Sequence, residues 1–248
     1  ITLNLVRENF FNFFVCILIS SLGIICIIAS IAFRKYEKNG NSLTYLGLFA
    51  LVGGVWSATE TKFLQLLEYD SGIIHLVTGL TLMLIVIPLF LFFKSRLASE
   101  HKVPILIVSG FSTINYLVCF CLHFLKVKDF HETIIFTHFS IILGAAITLF
   151  FALKVAMNSH FKDVSFLGLC GIAILSVIDV YLYYKQIIND SSTFTRLGIL
   201  IYIAALSVQI MNEYVKVYNN NLRIEMVSKM AYTDVLTNIN NINLFFLK

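Results

Sequence analysis

A chain of 248 residues in which 58% are hydrophobic and 13% charged, with a mean hydropathy of +0.87, cannot cover its apolar surface in water. Soluble domains carry about 25% charged residues, so an ordinary soluble domain is excluded and lipid is the natural solvent. The formal net charge of +4 is too small and too unevenly placed to imply a nucleic-acid partner.

A helix needs about 20 mainly apolar residues to cross the hydrocarbon core, because backbone groups must be satisfied internally there. Seven stretches qualify, so the expected fold class is an all-α membrane protein, a seven-helix transmembrane bundle with a cytoplasmic signalling helix. The first span is Phe10–Phe33. Arg7 and Glu8 precede it without a basic run, and Arg34, Lys35 and Lys38 follow it, so it reads as a span and not a cleaved signal peptide. The second is Leu43–Leu67, interrupted late by Glu60 and Lys62. The third is Ile73–Phe93, with Pro88 as an expected kink. The fourth is Val103–Leu125, with Pro104 in its first turn, where a helix tolerates proline. The fifth is Ile134–Met157 and the sixth Val164–Ile188. The seventh runs from Leu197 to Met211 and continues as a polar helix.

The five cysteines (Cys16, Cys26, Cys119, Cys121 and Cys170) all fall inside apolar runs and read as apolar filler. Cys119 and Cys121, two apart, point to different sides of a helix and make a poor metal site.

Basic residues set orientation. With the first terminus outside, twelve of the 18 lysines and arginines lie on the inner side and six on the outer. The expectation is a multi-pass protein of the cell membrane, N-terminus outside and C-terminus cytoplasmic.

Ionisable groups in apolar segments cost about 2.5–3.5 kcal/mol on insertion scales, which makes each a functional candidate. Glu60 and Asp179 lie late in the second and sixth spans, and His75 and His138 near the starts of the third and fifth. All four fall in the outer half of the bundle. They read either as a polar cavity for a ligand or protons, or as interhelical hydrogen bonding beside an aromatic belt. The second reading is preferred, because depth along each helix does not show that the groups face one another. Replacing Glu60 or Asp179 by alanine is expected to alter output more than folding. Small residues at helix-packing spacing (Ala50, Gly54, Ala58; Ser140, Gly144, Thr148) suit close approach of helices.

After Met211 polar residues take over, and no glycine or proline intervenes before Asp234, so the seventh helix is expected to run straight out of the membrane. Val208, Met211, Val215, Tyr218 and Leu222 are spaced 3-4-3-4, the pattern of a short parallel coiled coil joining two subunits. The expected organisation is a sensor domain over 1–211, a cytoplasmic signalling helix over 212–232, and a further element over 233–248.

The segment Met230-Ala-Tyr-Thr-Asp-Val-Leu-Thr-Asn-Ile-Asn-Asn241 resembles the opening of GGDEF domains, with Ala231, Asp234, Leu236, Thr237, Asn241 and Phe245 in matching positions. Asn238 replaces the family's glycine, Ile239 its leucine and Ile242 its arginine, which in the family ties the turn to the aspartate. The run Tyr45–Glu60, followed by Lys62–Leu67, is similar to the second helix of the seven-transmembrane receptors with diverse intracellular signalling modules. The resemblance implies the sensory and transducing membrane part of a bacterial receptor controlling cyclic di-GMP synthesis from GTP. It implies a homodimer joined through the signalling helix, an unknown small-molecule or peptide cue, and magnesium in the GGDEF domain only. Residues 233–248 would be the truncated start of that domain, and both ends of the chain read as cut. No GG-D/E-EF loop, phosphate-cradling glycine loop or metal-spaced set occurs in the sequence, so no catalytic site and no cofactor is expected in this chain.

Two other classes compete. The sensor part of a histidine kinase would need a phosphoacceptor histidine on the exit helix, and none occurs between Met211 and Lys248. A transporter subunit would need a discontinuous midplane helix, which an uninterrupted seventh helix fits poorly.

Overall fold

The computed structural model describes residues 2–34, 41–61, 63, 71–96, 102–130, 132–133, 135–137, 139–140, 142–144, 146–147, 150, 168, 171–172, 174–175, 178–179, 181–182, 184–187 and 192–232. His138 and the GGDEF-like turn residues Asp234, Leu236, Thr237 and Asn241 lie outside them. Five helices organise the described residues: α1 (Thr2–Phe33), α2 (Ser42–Thr59), α3 (Ser71–Arg96), α4 (Lys102–Phe124) and α5 (Thr193–Tyr232). All five are long and apolar enough to cross a membrane. The described positions within 132–150 and 168–184 are helical too, and no strand occurs among the described residues.

The end of the bundle where α1 begins is called the upper end. Contacts fix the direction of each segment from there. α1 and α2 are antiparallel, with Cys16 Sγ 3.4 Å from Ser57 Oγ near the top and Ser30 Oγ 2.5 Å from Thr44 Oγ1 near the bottom. Between these contacts the two backbones nearly touch, because Gly23, Gly47 and Gly54 leave no side chain in the way. Such close approach is how helices associate where no hydrophobic force acts between them.

α1 and α5 run parallel in one register. Asn12 meets Thr193, Cys26 meets Ser207 and Phe33 meets Tyr214, each pair separated by 181 residues. The contacts repeat at multiples of seven along both helices, the spacing of a left-handed supercoiled seam. α4 and the segment 132–150 are antiparallel, since Ser112 bonds Ser140 at 2.8 Å and Asn115 bonds Thr137 at 3.2 Å. The same segment runs parallel to α3. A Cβ on Gly79 would meet Phe130, and one on Gly144 would strike the ring of Phe90. Segment 168–184 is antiparallel to α5, with Gly198 against Leu175 and Gly168 against Tyr202.

The main core gathers Ile19, Leu43, Leu46, Phe90, Ile105, Ile203, Leu206 and Ile210 at its centre. A smaller cluster of Met83, Cys119 and Phe130 lies between α3, α4 and the start of the next segment. Cys16, Cys26 and Cys119 are buried free thiols, whereas Cys121 is exposed. Cys16 and Cys26 do more than fill space, since each joins α1 to a hydroxyl on another helix.

Candidate functional site

α2 does not extend to Leu67. It stops at Thr59, where two threonines satisfy carbonyls of the last turn: Thr59 Oγ1 donates to Trp56 O at 2.7 Å and Thr61 Oγ1 to Ala58 O at 2.6 Å. Such bonds occupy acceptors that have no partner within the helix. Glu60 therefore stands at the C-cap, just past the last helical residue, and is exposed.

α4 ends in a reversal that the sequence does not announce. Lys126 adopts φ 56°. Lys126 N–H donates to His123 O and Val127 N–H to Leu122 O, both at 3.0 Å, the paired bonds of a Schellman turn. The usual glycine is absent. The chain then doubles back, so that Phe130 stacks on the His123 ring at 4.1 Å and 16° and Asp129 Oδ1 comes 3.5 Å from His123 Nδ1. Because a side chain costs energy in the left-handed region, Lys126→Gly is expected to raise stability by about 1 kcal/mol, read as a higher unfolding temperature in detergent.

These two helix ends enclose a cavity of about 660 Å³ lined by Glu60, His75, His123 and Asp129 together with Thr78 and the apolar side chains of Leu76, Leu82, Met83 and Phe130. The structure thus brings together two of the groups expected from sequence, Glu60 and His75. It adds His123 and Asp129, which lie beyond the polar midspan positions that draw the eye in a hydropathy reading.

Asp179 serves elsewhere. Its carboxylate is fully buried and accepts from Phe194 N–H at 3.0 Å and from the N–H and hydroxyl of Thr195, both at 2.6 Å. It caps the N-terminus of α5 from a neighbouring segment, where unpaired donors and the helix dipole favour an anion. One residue on, the buried Arg196 donates from Nε to Ser57 Oγ at 2.8 Å. Ser57 also receives the Cys16 thiol contact. The start of α5 is therefore held to α1, α2 and segment 168–184 at once. In the sequence Arg196 is one of the six outer-side basic residues, and the run Ser192-Thr193-Phe194-Thr195 just before it carries the hydroxyls of a helix start.

At the lower end α5 is held again. Arg96 at the end of α3 forms a two-pronged pair with Glu213, at 2.6 and 2.9 Å, and Gln209 Nε2 reaches the same carboxylate at 3.3 Å. Tyr214 is buried against Phe33 and lies 3.5 Å from Ser42 Oγ. Paired geometry of this kind adds specificity as well as energy. Arg96→Gln and Glu213→Gln are each expected to lower stability, with a coupling of about 1 kcal/mol in a double-mutant cycle.

Among the described residues no group of three or more His, Cys, Asp or Glu is placed to hold a metal ion. Comparisons with protein-family models, with curated proteins and with solved structures find no match.

Proposed function

We propose that this chain is the sensory and transducing membrane part of a receptor, crossing the bilayer seven times with its upper end outside and the end of α5 in the cytoplasm. The observation that carries the reading is α5 itself. It is one unbroken 40-residue helix, about 60 Å long at 1.5 Å per residue, twice the roughly 30 Å of hydrocarbon it has to cross. Its first turn is bonded to Ser57, one helical turn before the cavity residue Glu60. Its second half leaves the bundle past Arg96–Glu213, and residues 218–228 are exposed.

A helix tied at one end beside a cavity and free to project at the other is a lever. Occupancy of the cavity biases the end of α2, the Ser57–Arg196 bond passes that bias to α5, and the projecting half re-orients. Seven crossings are supported by the alternating directions of α1 to α5 and of the two segments between α4 and α5. The parallel packing of α1 and α5 puts the start of the one and the end of the other on opposite sides, and the basic residues favour the lower side as cytoplasmic.

The exposed Val215, Tyr218 and Leu222 offer the seam by which two copies pair. The output we assign, from the resemblance of residues 231–245, is control of cyclic di-GMP synthesis by a GGDEF domain. Single-cysteine labelling with a membrane-impermeant maleimide tests the arrangement. Lys128→Cys is expected to react in intact cells and Ser228→Cys only after lysis. The reverse pattern would overturn the receptor reading.

A further inference from the structure

We propose that the upper cavity binds a small organic cation, an ammonium group carried on an apolar body. This names the cue class of the sensory reading and rests on that reading for its consequence, though the binding site stands on its own geometry. The cavity has the size of small-molecule sites, about 660 Å³ against roughly 300–1,000 Å³ for known pockets. Its described wall holds two carboxylates, Glu60 and Asp129, and two imidazoles, His75 and His123, with no lysine or arginine among the described lining residues. Lys126 and Lys128 line an adjoining cavity that shares Asp129 with this one, and Glu132 stands with them there. Among the described lining residues an anion therefore meets like charge, whereas a cation meets Glu60 and the Asp129 carboxylate that it shares with the adjoining cavity.

The geometry at one corner defines the headgroup. His123 Nδ1 is buried and makes no hydrogen bond, yet it stands 3.5 Å from Asp129 Oδ1, too far for a well-formed bond between them. The imidazole backs the carboxylate from inside, and the exposed Asp129 oxygens are the acceptors presented to the cavity. An ammonium group donates N–H bonds to the Asp129 carboxylate, and its charge is stabilised by Glu60 across the cavity. A bare metal ion fits less well, because no set of three ligating side chains converges among the described residues. Leu76, Leu82, Met83 and the Phe130 edge receive the apolar body.

Trp56, the single tryptophan of the chain, lies one helical turn before Glu60 and reports on the site. The test titrates the purified full chain in lipid nanodiscs with three probes of matched shape: phenethylamine, phenethyl alcohol and phenylacetate. It is run at about pH 8, where imidazole is uncharged, and followed by Trp56 fluorescence and by equilibrium dialysis. The amine is expected to bind saturably and roughly tenfold more tightly than the alcohol, with no binding of the carboxylate. Glu60→Gln and Asp129→Asn, both at exposed positions and each keeping the side chain's shape, are expected to weaken the amine by roughly fivefold each. Equal binding of amine and alcohol, or amine binding unchanged in both variants, would overturn the proposal. Amine binding that leaves cyclic di-GMP in cells unaltered would uphold the site and sink the sensory reading. Altered output in Glu60→Gln without amine binding would sink the cation assignment and leave the sensory reading in place.

Discussion

Replacing Asp179 by alanine is expected to destabilise the bundle by about 3–5 kcal/mol, the range found when one partner of a buried charged network is removed. The carboxylate is fully buried and accepts three hydrogen bonds, two from backbone N–H groups at the start of α5. Those N–H groups lie in the first turn and have no acceptor within their own helix. Alanine removes the carboxylate that both N–H groups donate to, at roughly 1–3 kcal/mol each before relaxation, and removes the charge that opposes the helix dipole. Asp179→Asn keeps one acceptor but turns an NH₂ toward donors, so an intermediate loss is expected. Thermal unfolding of the purified variants in detergent measures both. Glu60→Ala, at an exposed cap, is expected to change stability by no more than about 0.5 kcal/mol. The two acidic residues that look alike in a hydropathy plot therefore part company: one builds the fold and the other lines the cavity. An Asp179→Ala protein as stable as the parent would return Asp179 to the sensing role that sequence position suggested for it.

That divergence shows where sequence reading stops. Long apolar runs are a strong signal, and the ends of α3 and α4 fall within three residues of the expected boundaries. The unbroken exit helix was equally legible, because neither glycine nor proline interrupts it. The end of α2 was not. Phe63 to Leu67 continue the apolar run, whereas the helix is stopped by two threonine hydroxyls bonding back to the last turn, a local competition that hydropathy does not register. Depth along a helix could be estimated, but the direction a residue faces could not. Glu60 and His75 share a cavity, while Asp179 at similar depth faces α5. The pairing of α1 with α5 joins positions 181 apart through Asn, Thr, Cys, Ser, Phe and Tyr, residue types that do not mark out an apolar heptad on either helix.

The seam between α1 and α2 yields the other large effect. Alanine in place of glycine inside a helix ordinarily stabilises by about 0.5–1 kcal/mol, and Gly110, with nothing within 4 Å of an added Cβ, is expected to follow that rule. Gly54 is expected to reverse it. A Cβ there would strike Ser20 Oγ and come within 2.8 Å of Ser20 N and 2.9 Å of Cys16 O, and backbone atoms cannot rotate away as a flexible side chain can. The helices have to separate, so Gly54→Ala is expected to cost about 1–3 kcal/mol and Gly54→Leu about 3 kcal/mol or more. The loss reaches further than the contact. Cys16 and Ser57 flank this point on the two helices, Ser57 holds Arg196, and α1 carries the register that seats α5. Widening the seam pulls Ser57 from one of its two partners, so a Gly54→Ala protein that still folds is expected to show output no longer responsive to Glu60→Gln. If Gly54→Ala instead raised the unfolding temperature as Gly110→Ala does, α1 and α2 would not be in backbone contact, and the route from the cavity to α5 through Ser57 would have no fixed support.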